Sequence, residues 1–111
     1  MAVVGTPQRD EVWLVVLDPT QGVEMQKARP CVVVSPDEMN QHLKNVMVAP
    51  MTTVARSYPT RVPVRFQGKS GQVALDQLRA VDRQRLVKRL GMVSARTAQD
   101  AADTLVEMFS R

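Results

Sequence analysis

Asp18-Pro19-Thr20-Gln21-Gly22-Val23-Glu24-Met25-Gln26-Lys27-Ala28-Arg29-Pro30-Cys31-Val32-Val33-Val34-Ser35-Pro36 is a polar loop gripped by two apolar strands. The run Glu11-Val12-Trp13-Leu14-Val15-Val16-Leu17 leads into it, and Cys31 to Val34 leads out. Asp18-Pro19-Thr20 stops the first strand, because proline fixes φ and donates nothing to a ladder. Gly22 supplies a position where φ is free to be positive. Pro30 keeps Arg29 extended at the mouth of the second strand. Inside the loop stand one carboxylate, Glu24, and two cations, Lys27 and Arg29. Sites are often built on such loops, and ordinary hairpin connections have the same composition, so the residues alone leave both readings open.

Outward from this stretch, the first strand is too continuously apolar to keep one wet face and is expected to be central, with Trp13 in the core. Val32 to Val34 repeats the pattern. Asp37 to His42 is expected to form one short helical turn, with Ser35 or Asp37 near its cap. Val46 to Met51 reads as a third strand closed by Pro50, followed by Thr52-Thr53 where that strand emerges. Val54 to Pro59 is a second exposed loop, carrying Arg56 and Tyr58. Thr60 to Phe66 alternates, with Val62, Val64 and Phe66 on one face, and Pro63 assigns it to a sheet edge.

Gln67 to Gly71 is expected to be a turn, and Gln72 to Val81 two short strands broken around Asp76-Gln77. Leu86 to Val93 is ambiguous between strand and helix. Thr97-x-x-Asp100 resembles a capping box, and Ala98, Ala101, Ala102, Leu105 and Phe109 form one helical stripe that needs a sheet beneath it. The expected fold is mainly β with a C-terminal α-helix: a bent antiparallel sheet or small barrel.

The 111 residues suit one domain, residues 1–111, with 44% apolar content enough for a folded core. Fifteen Lys and Arg against eleven Asp and Glu give a net charge of +4. That balance fits a polyanionic partner such as nucleic acid or an acidic protein, and equally a solvated basic surface. Arg predominates, and Arg forks onto phosphate oxygens where Lys offers a point charge. No apolar run approaches the ~20 residues that span a bilayer. Met1 to Gly5 lacks the pattern of a signal peptide, and the single Cys31 rules out an intrachain disulfide. A cytoplasmic setting is expected, with no membrane partner.

The missing chemistry narrows the field further. One histidine, His42, excludes a two-histidine acid/base pair within the chain, and one cysteine excludes thiolate zinc sites. His42 in a short polar helix reads as a bystander. No phosphate-binding Gly-rich loop, nucleophile elbow or paired-histidine zinc motif is present. No metal or cofactor is expected. Aromatics make up only 4% of the chain, so recognition of RNA would lean on Arg, Asn, Gln and backbone groups.

The block from Val12 to Pro36 resembles the MazF/PemK/Kid family of toxin endoribonucleases. Val48-Ala49-Pro50-Met51-Thr52-Thr53, Tyr58-Pro59 and Val73-Ala74-Leu75-Asp76-Gln77-Leu78-Arg79-Ala80-Val81-Asp82 continue the likeness in the same order. The resemblance implies an SH3-like small barrel of the MazF/CcdB type that forms a homodimer. It implies the toxin of a type II toxin–antitoxin system, neutralised by an acidic MazE-like antitoxin. It also implies sequence-specific, metal-independent cleavage of single-stranded RNA, including mRNA. Carried over by position, Glu24, Arg29 and Thr53 match the residues lining the family's cleavage site, and Thr52 and Gln77 match nearby polar positions. Lys27, Arg56, Tyr58 and Arg79 are further candidate substrate contacts, around which base choice would be set.

Two departures stand out. The family block often opens Arg-Gly-Asp, where this chain has Arg9-Asp10-Glu11. An arginine that some members carry two residues before the aspartate is here Ala74, which shifts the weight onto Arg29.

The chemistry then implied is attack of a 2′-oxygen on phosphorus. Glu24 either takes the proton or orients Arg29. Arg29 stabilises the phosphorane through two N–H groups, and Thr53 holds the phosphate or the leaving oxygen. The products are a 2′,3′-cyclic phosphate and a 5′-hydroxyl. Two other classes remain open on the residues: a CcdB-like gyrase poison acting through its C-terminal helix, and a basic SH3-like module that only binds RNA.

Overall fold

A computed structural model describes residues 5–18 and 27–111, apart from the side chains of Asp18 and Lys27. The strands are β1 (Glu11–Asp18), β2 (Lys27–Val33), β3 (Asn45–Thr52), β4 (Arg61–Phe66), β5 (Lys69–Ala74), β6 (Arg79–Asp82) and β7 (Leu86–Met92). Helix α1 (Asp37–His42) follows β2, and α2 (Ala95–Phe109) ends the chain. Neighbours run β4-β5-β3-β2-β1-β7, all antiparallel, with β6 also paired to β3. No helix among the described residues is long and apolar enough to cross a membrane.

β1 is central, between β2 and β7, as its unbroken apolar run requires. Its alternate residues feed two cores. Val12 joins Val32, Ala49, Val62, Val64, Val73 and Leu75 on one face, while Trp13, Val15 and Leu17 join Cys31, Val33, Val46, Val48 and Val81 on the other. Cys31 is fully buried, and burial pushes its thiol up to about 12, so it serves as a small apolar residue. Pro63 lies in β4, the end of the strand order, where a missing N–H is tolerated.

β3 exchanges partners along one edge. Asn45 to Val48 pair with β6, and Met51 and Thr52 pair with β5. Ala49 and Pro50 sit at the exchange. Pro50 therefore does not end the strand as its sequence suggests; β3 runs on to Thr52, because no ladder is required on that side at residue 50. β2 also begins earlier than expected, at Lys27, which places Arg29 inside the strand opposite Val15.

The β4–β5 turn is only Gln67-Gly68, at φ 51° and 79°, the pair of positive φ values that a two-residue hairpin favours. Lys69 to Gly71, expected within the turn, belong to β5. Leu86–Met92 resolves as a strand. Gly91 at φ 153° lies so close to the Phe66 ring that a Cβ there would meet it at 3.1 Å. Gln67 Nε2 donates to the Leu90 carbonyl at 3.3 Å. The sheet thus curls until its two ends touch through side chains, and the barrel stays unclosed because no ladder joins β4 to β7.

Helix α2 begins at Ser94, whose Oγ accepts the Thr97 N–H at 3.1 Å; Thr97 is inside the first turn, not at the cap. Ala98, Ala101, Leu105 and Met108 pack on the Val12–Leu75 core. Ala102 and Phe109, expected in that stripe, face outward, Phe109 at 72% exposure. From Leu105 the helical period puts Met108 inward and carries Phe109 past the contact line.

Strand entry at Asp10 answers the first departure from the family block. Asp10 adopts φ 76°, the left-handed conformation that glycine takes without strain. Its N–H donates to the Val33 carbonyl at 2.8 Å, and its carbonyl accepts from Val93 N–H at 3.0 Å. The turn is kept without the glycine.

Candidate active site

Cys31 faces Pro50 across the β2–β3 ladder. Two residues on from each stand Arg29 and Thr52, which the strand alternation turns to the same side. Both line one cavity of about 380 Å³ together with Thr53. Its apolar wall comes from Pro30, Met51, Val64, Phe66 and Leu90, and Gln67, Lys69 and Ser70 add polar groups from the β4–β5 hairpin. The cavity opens beside the unjoined seam between β4 and β7. Arg29, Thr52, Thr53 and Lys69 at the border of a partly apolar cavity are residue types that suit a phosphodiester with its sugar and base.

Each group is positioned by its strand. Thr52 Oγ1 accepts the Val54 N–H at 3.1 Å, which leaves its O–H to donate elsewhere. Thr53 is exposed at the end of β3. Gly71 permits this arrangement: a Cβ there would fall 2.6 Å from the Thr52 carbonyl oxygen, so only glycine lets β5 lie this close. Gly71, Phe66, Lys69 and Ser70 escaped the sequence reading. The available signal was the polar hairpin tip Gln67-Gly68-Lys69-Ser70, whose approach to β2 and β3 depends on how the sheet curls.

The other expected residues fall in different places. Glu24 lies outside the described residues, as does the side chain of Lys27. Arg79 is in β6 opposite Val48, on the Arg29 face of the sheet, and both arginine charges partly offset the burial that raises the Cys31 thiol. Gln77 is exposed at the end of the 3₁₀ turn Leu75–Gln77, away from the cavity. Arg56 and Tyr58 are exposed on the loop after Thr53. His42 is exposed, with Nδ1 2.8 Å from the Glu38 carbonyl.

Beside that loop a second polar cluster forms. Arg61 Nε and Nη2 meet Asp76 Oδ1 and Oδ2 at 2.7 and 3.3 Å, and Thr60 Oγ1 donates to Asp76 Oδ1 at 3.0 Å. The Arg61 guanidinium holds the Asp76 carboxyl below its ordinary range. A carboxylate so occupied makes a poor general base. Ala74 is fully buried opposite Arg61, so the guanidinium that reaches Asp76 comes from β4. Among the described residues, no three His, Cys, Asp or Glu side chains gather as a metal site requires.

Residues 8–109 match the family described as PemK-like, MazF-like toxin of type II toxin–antitoxin system. The chain is 35% identical over 98 residues to endoribonuclease MazF9 of Mycobacterium tuberculosis, covering 79% of this chain and 83% of that one. Among solved structures it is similar to MazF from Deinococcus radiodurans, with TM-score 0.78 and 26% identity over 95% of this chain and 97% of that one. It is equally similar to an endoribonuclease in complex with its cognate antitoxin from a mycobacterial species, with TM-score 0.78 and 25% identity over 91% and 92% of the two chains.

Proposed function

The chain belongs to the PemK-like, MazF-like toxin family of type II toxin–antitoxin systems, and we propose that its Arg29–Thr53 cavity is where it acts as an endoribonuclease on single-stranded RNA. The observation that carries this reading is the meeting of Arg29, Thr52 and Thr53, from adjacent strands, on one cavity.

In the proposed reaction the 2′-oxygen of one nucleotide loses its proton and attacks the adjacent phosphorus. The bond to the 5′-oxygen breaks, giving a 2′,3′-cyclic phosphate and a 5′-hydroxyl. Arg29 donates two N–H groups to the phosphorane oxygens, and its charge persists at any working pH. Thr53 hydrogen-bonds the phosphate or the leaving oxygen, with Thr52 beside it. Glu24, placed by the resemblance alone, takes the proton or orients Arg29. Lys27, Arg56, Tyr58, Arg79 and Gln77 are proposed to hold substrate. The reaction uses no metal and no cofactor.

The same reading assigns the chain one domain over residues 1–111, a cytoplasmic setting, a homodimeric state and an acidic MazE-like antitoxin as its partner, in keeping with its basic charge of +4. Incubation with a long single-stranded RNA in excess EDTA tests the catalytic part. Discrete fragments with 5′-hydroxyl ends, lost in Arg29→Ala, are expected. RNA left intact by stoichiometric protein would refute it and turn attention to the two non-nuclease classes.

A further inference from the structure

The loop that follows Thr53 is exposed, yet it is held at several points along its length. Gln72 supplies the main fastening. Its Oε1 accepts the Arg56 N–H at 3.1 Å, and its Nε2 donates to the Arg56 carbonyl at 3.1 Å. A carboxamide that takes both backbone groups of one residue imitates a ladder pair, so Arg56 is bound to β5 as though it were part of the sheet. Gln72 is itself well anchored, paired through its backbone with Thr52 on one side and Pro63 on the other. Further along, the Arg61 N–H donates to the Tyr58 carbonyl at 3.1 Å, and the Arg61 guanidinium lies 5.1 Å from the Tyr58 ring centroid.

We propose that Gln72 is a positioning residue for RNA: its side chain fixes the Arg56–Tyr58 arm where it receives the strand leaving the Arg29–Thr53 cavity. This rests on the nuclease reading above and extends it to a residue outside the cleavage set. With Arg61 at its ring and 49% of its surface exposed, Tyr58 offers a base somewhere to stack. Arg56 adds a cation for phosphate. An arm that is already ordered loses little freedom when RNA binds, and that saving appears as affinity. Thr52 is held separately, by the β3–β5 ladder and by the close approach of Gly71. Releasing the Gln72 side chain therefore frees the arm and spares the chemical step.

The test compares wild type with Gln72→Met, which keeps the length of the side chain and removes both hydrogen bonds. With a single-stranded RNA substrate, KM is expected to rise about five- to tenfold while kcat stays within about twofold. Exchange of the Arg56 amide hydrogen is expected to accelerate, and Tm to change little. Unchanged KM overturns the proposal, and so does a fall in kcat at constant KM, the pattern of a damaged fold. An Arg56 amide that exchanges as in wild type overturns the fastening itself. Failure of the nuclease reading shows up differently, as wild-type protein that leaves RNA intact. In that event RNA affinity replaces KM as the readout, and equal affinity of the two proteins overturns the proposal.

Discussion

Arg29 and Thr52 stand on the same side of neighbouring strands, each two residues beyond the Cys31–Pro50 pair, and both border one cavity. Arg29 is exposed, so its loss removes chemistry and leaves packing intact. Arg29→Ala is expected to lower kcat by about 10²- to 10³-fold with Tm unchanged. Arg29→Lys keeps the charge and loses the fork, and should recover only part of that rate. Single-turnover cleavage of a labelled RNA measures both, and equal rates in wild type and Arg29→Ala would remove Arg29 from the mechanism.

Gly71 and Gly68 form a matched pair of controls. A methyl at Gly71 meets the Thr52 carbonyl oxygen at 2.6 Å, a backbone atom that yields only if β3 and β5 move apart. Gly71→Ala is expected to cost about 1–3 kcal/mol and to lower kcat as Thr52 and Thr53 shift. Gly68, at φ 79° with nothing within 4 Å of a new Cβ, meets only conformational strain. Gly68→Ala should cost about 1 kcal/mol and leave kcat alone. Denaturant melts alongside cleavage kinetics separate the two.

Asp10 is strained twice. Its φ of 76° disfavours a side chain, and burial, with the nearby Asp37 charge adding to it, pushes its carboxyl up despite the opposing Arg9 charge. A carboxyl raised in the native state contributes its stability at low pH and loses it as pH rises through the native pKa. Asp10→Gly is therefore expected to stabilise by about 0.5–1 kcal/mol at pH 7. The gain should shrink below the ordinary aspartate value of 3.8. Urea unfolding at pH 7 and pH 3 checks the sign; a gain that grows on acidification would contradict it.

Glu11 behaves in the opposite sense. Burial alone would raise it, but the Gln8 N–H at 2.9 Å, Trp13 Nε1 at 2.9 Å and Arg89 Nε at 2.7 Å outweigh burial and hold its carboxyl low. Its stabilisation is present above the ordinary value of 4.5 and is lost as pH falls through the lower native value. Glu11→Gln keeps an acceptor for Trp13 but sets an amide against Arg89, and is expected to cost about 1–3 kcal/mol at pH 7. The difference from wild type should narrow on acidification, as followed by Trp13 fluorescence in denaturant.

The sequence made some of this visible and concealed the rest for identifiable reasons. The central place of β1, the edge place of β4 and the break at Asp76-Gln77 follow from local pattern, and the structure has all three. Pro50 misled because its effect depends on whether a partner needs its N–H, a fact of sheet topology. Phe109 misled because helical spacing fits two neighbouring stripes, and only packing chose the one through Met108. The pairing of Arg29 with Thr53 was legible only through family likeness, since their nearness depends on β2–β3 register. The Gln72–Arg56 contact spans sixteen positions and follows no motif.

The seam between β4 and β7 sets the character of the cavity. One hydrogen bond from the Gln67 side-chain amide to the Leu90 carbonyl and the ring edge of Phe66 span it, with no row of backbone hydrogen bonds between the strands. The β4–β5 hairpin is instead held from its other side, by the β5 ladder to β3 and by Val62, Val64 and Val73 in the core. On this side the cavity is bordered by side chains and not by a ladder, so substitutions at Gln67 or Phe66 are expected to change its width while the strand pairing stays.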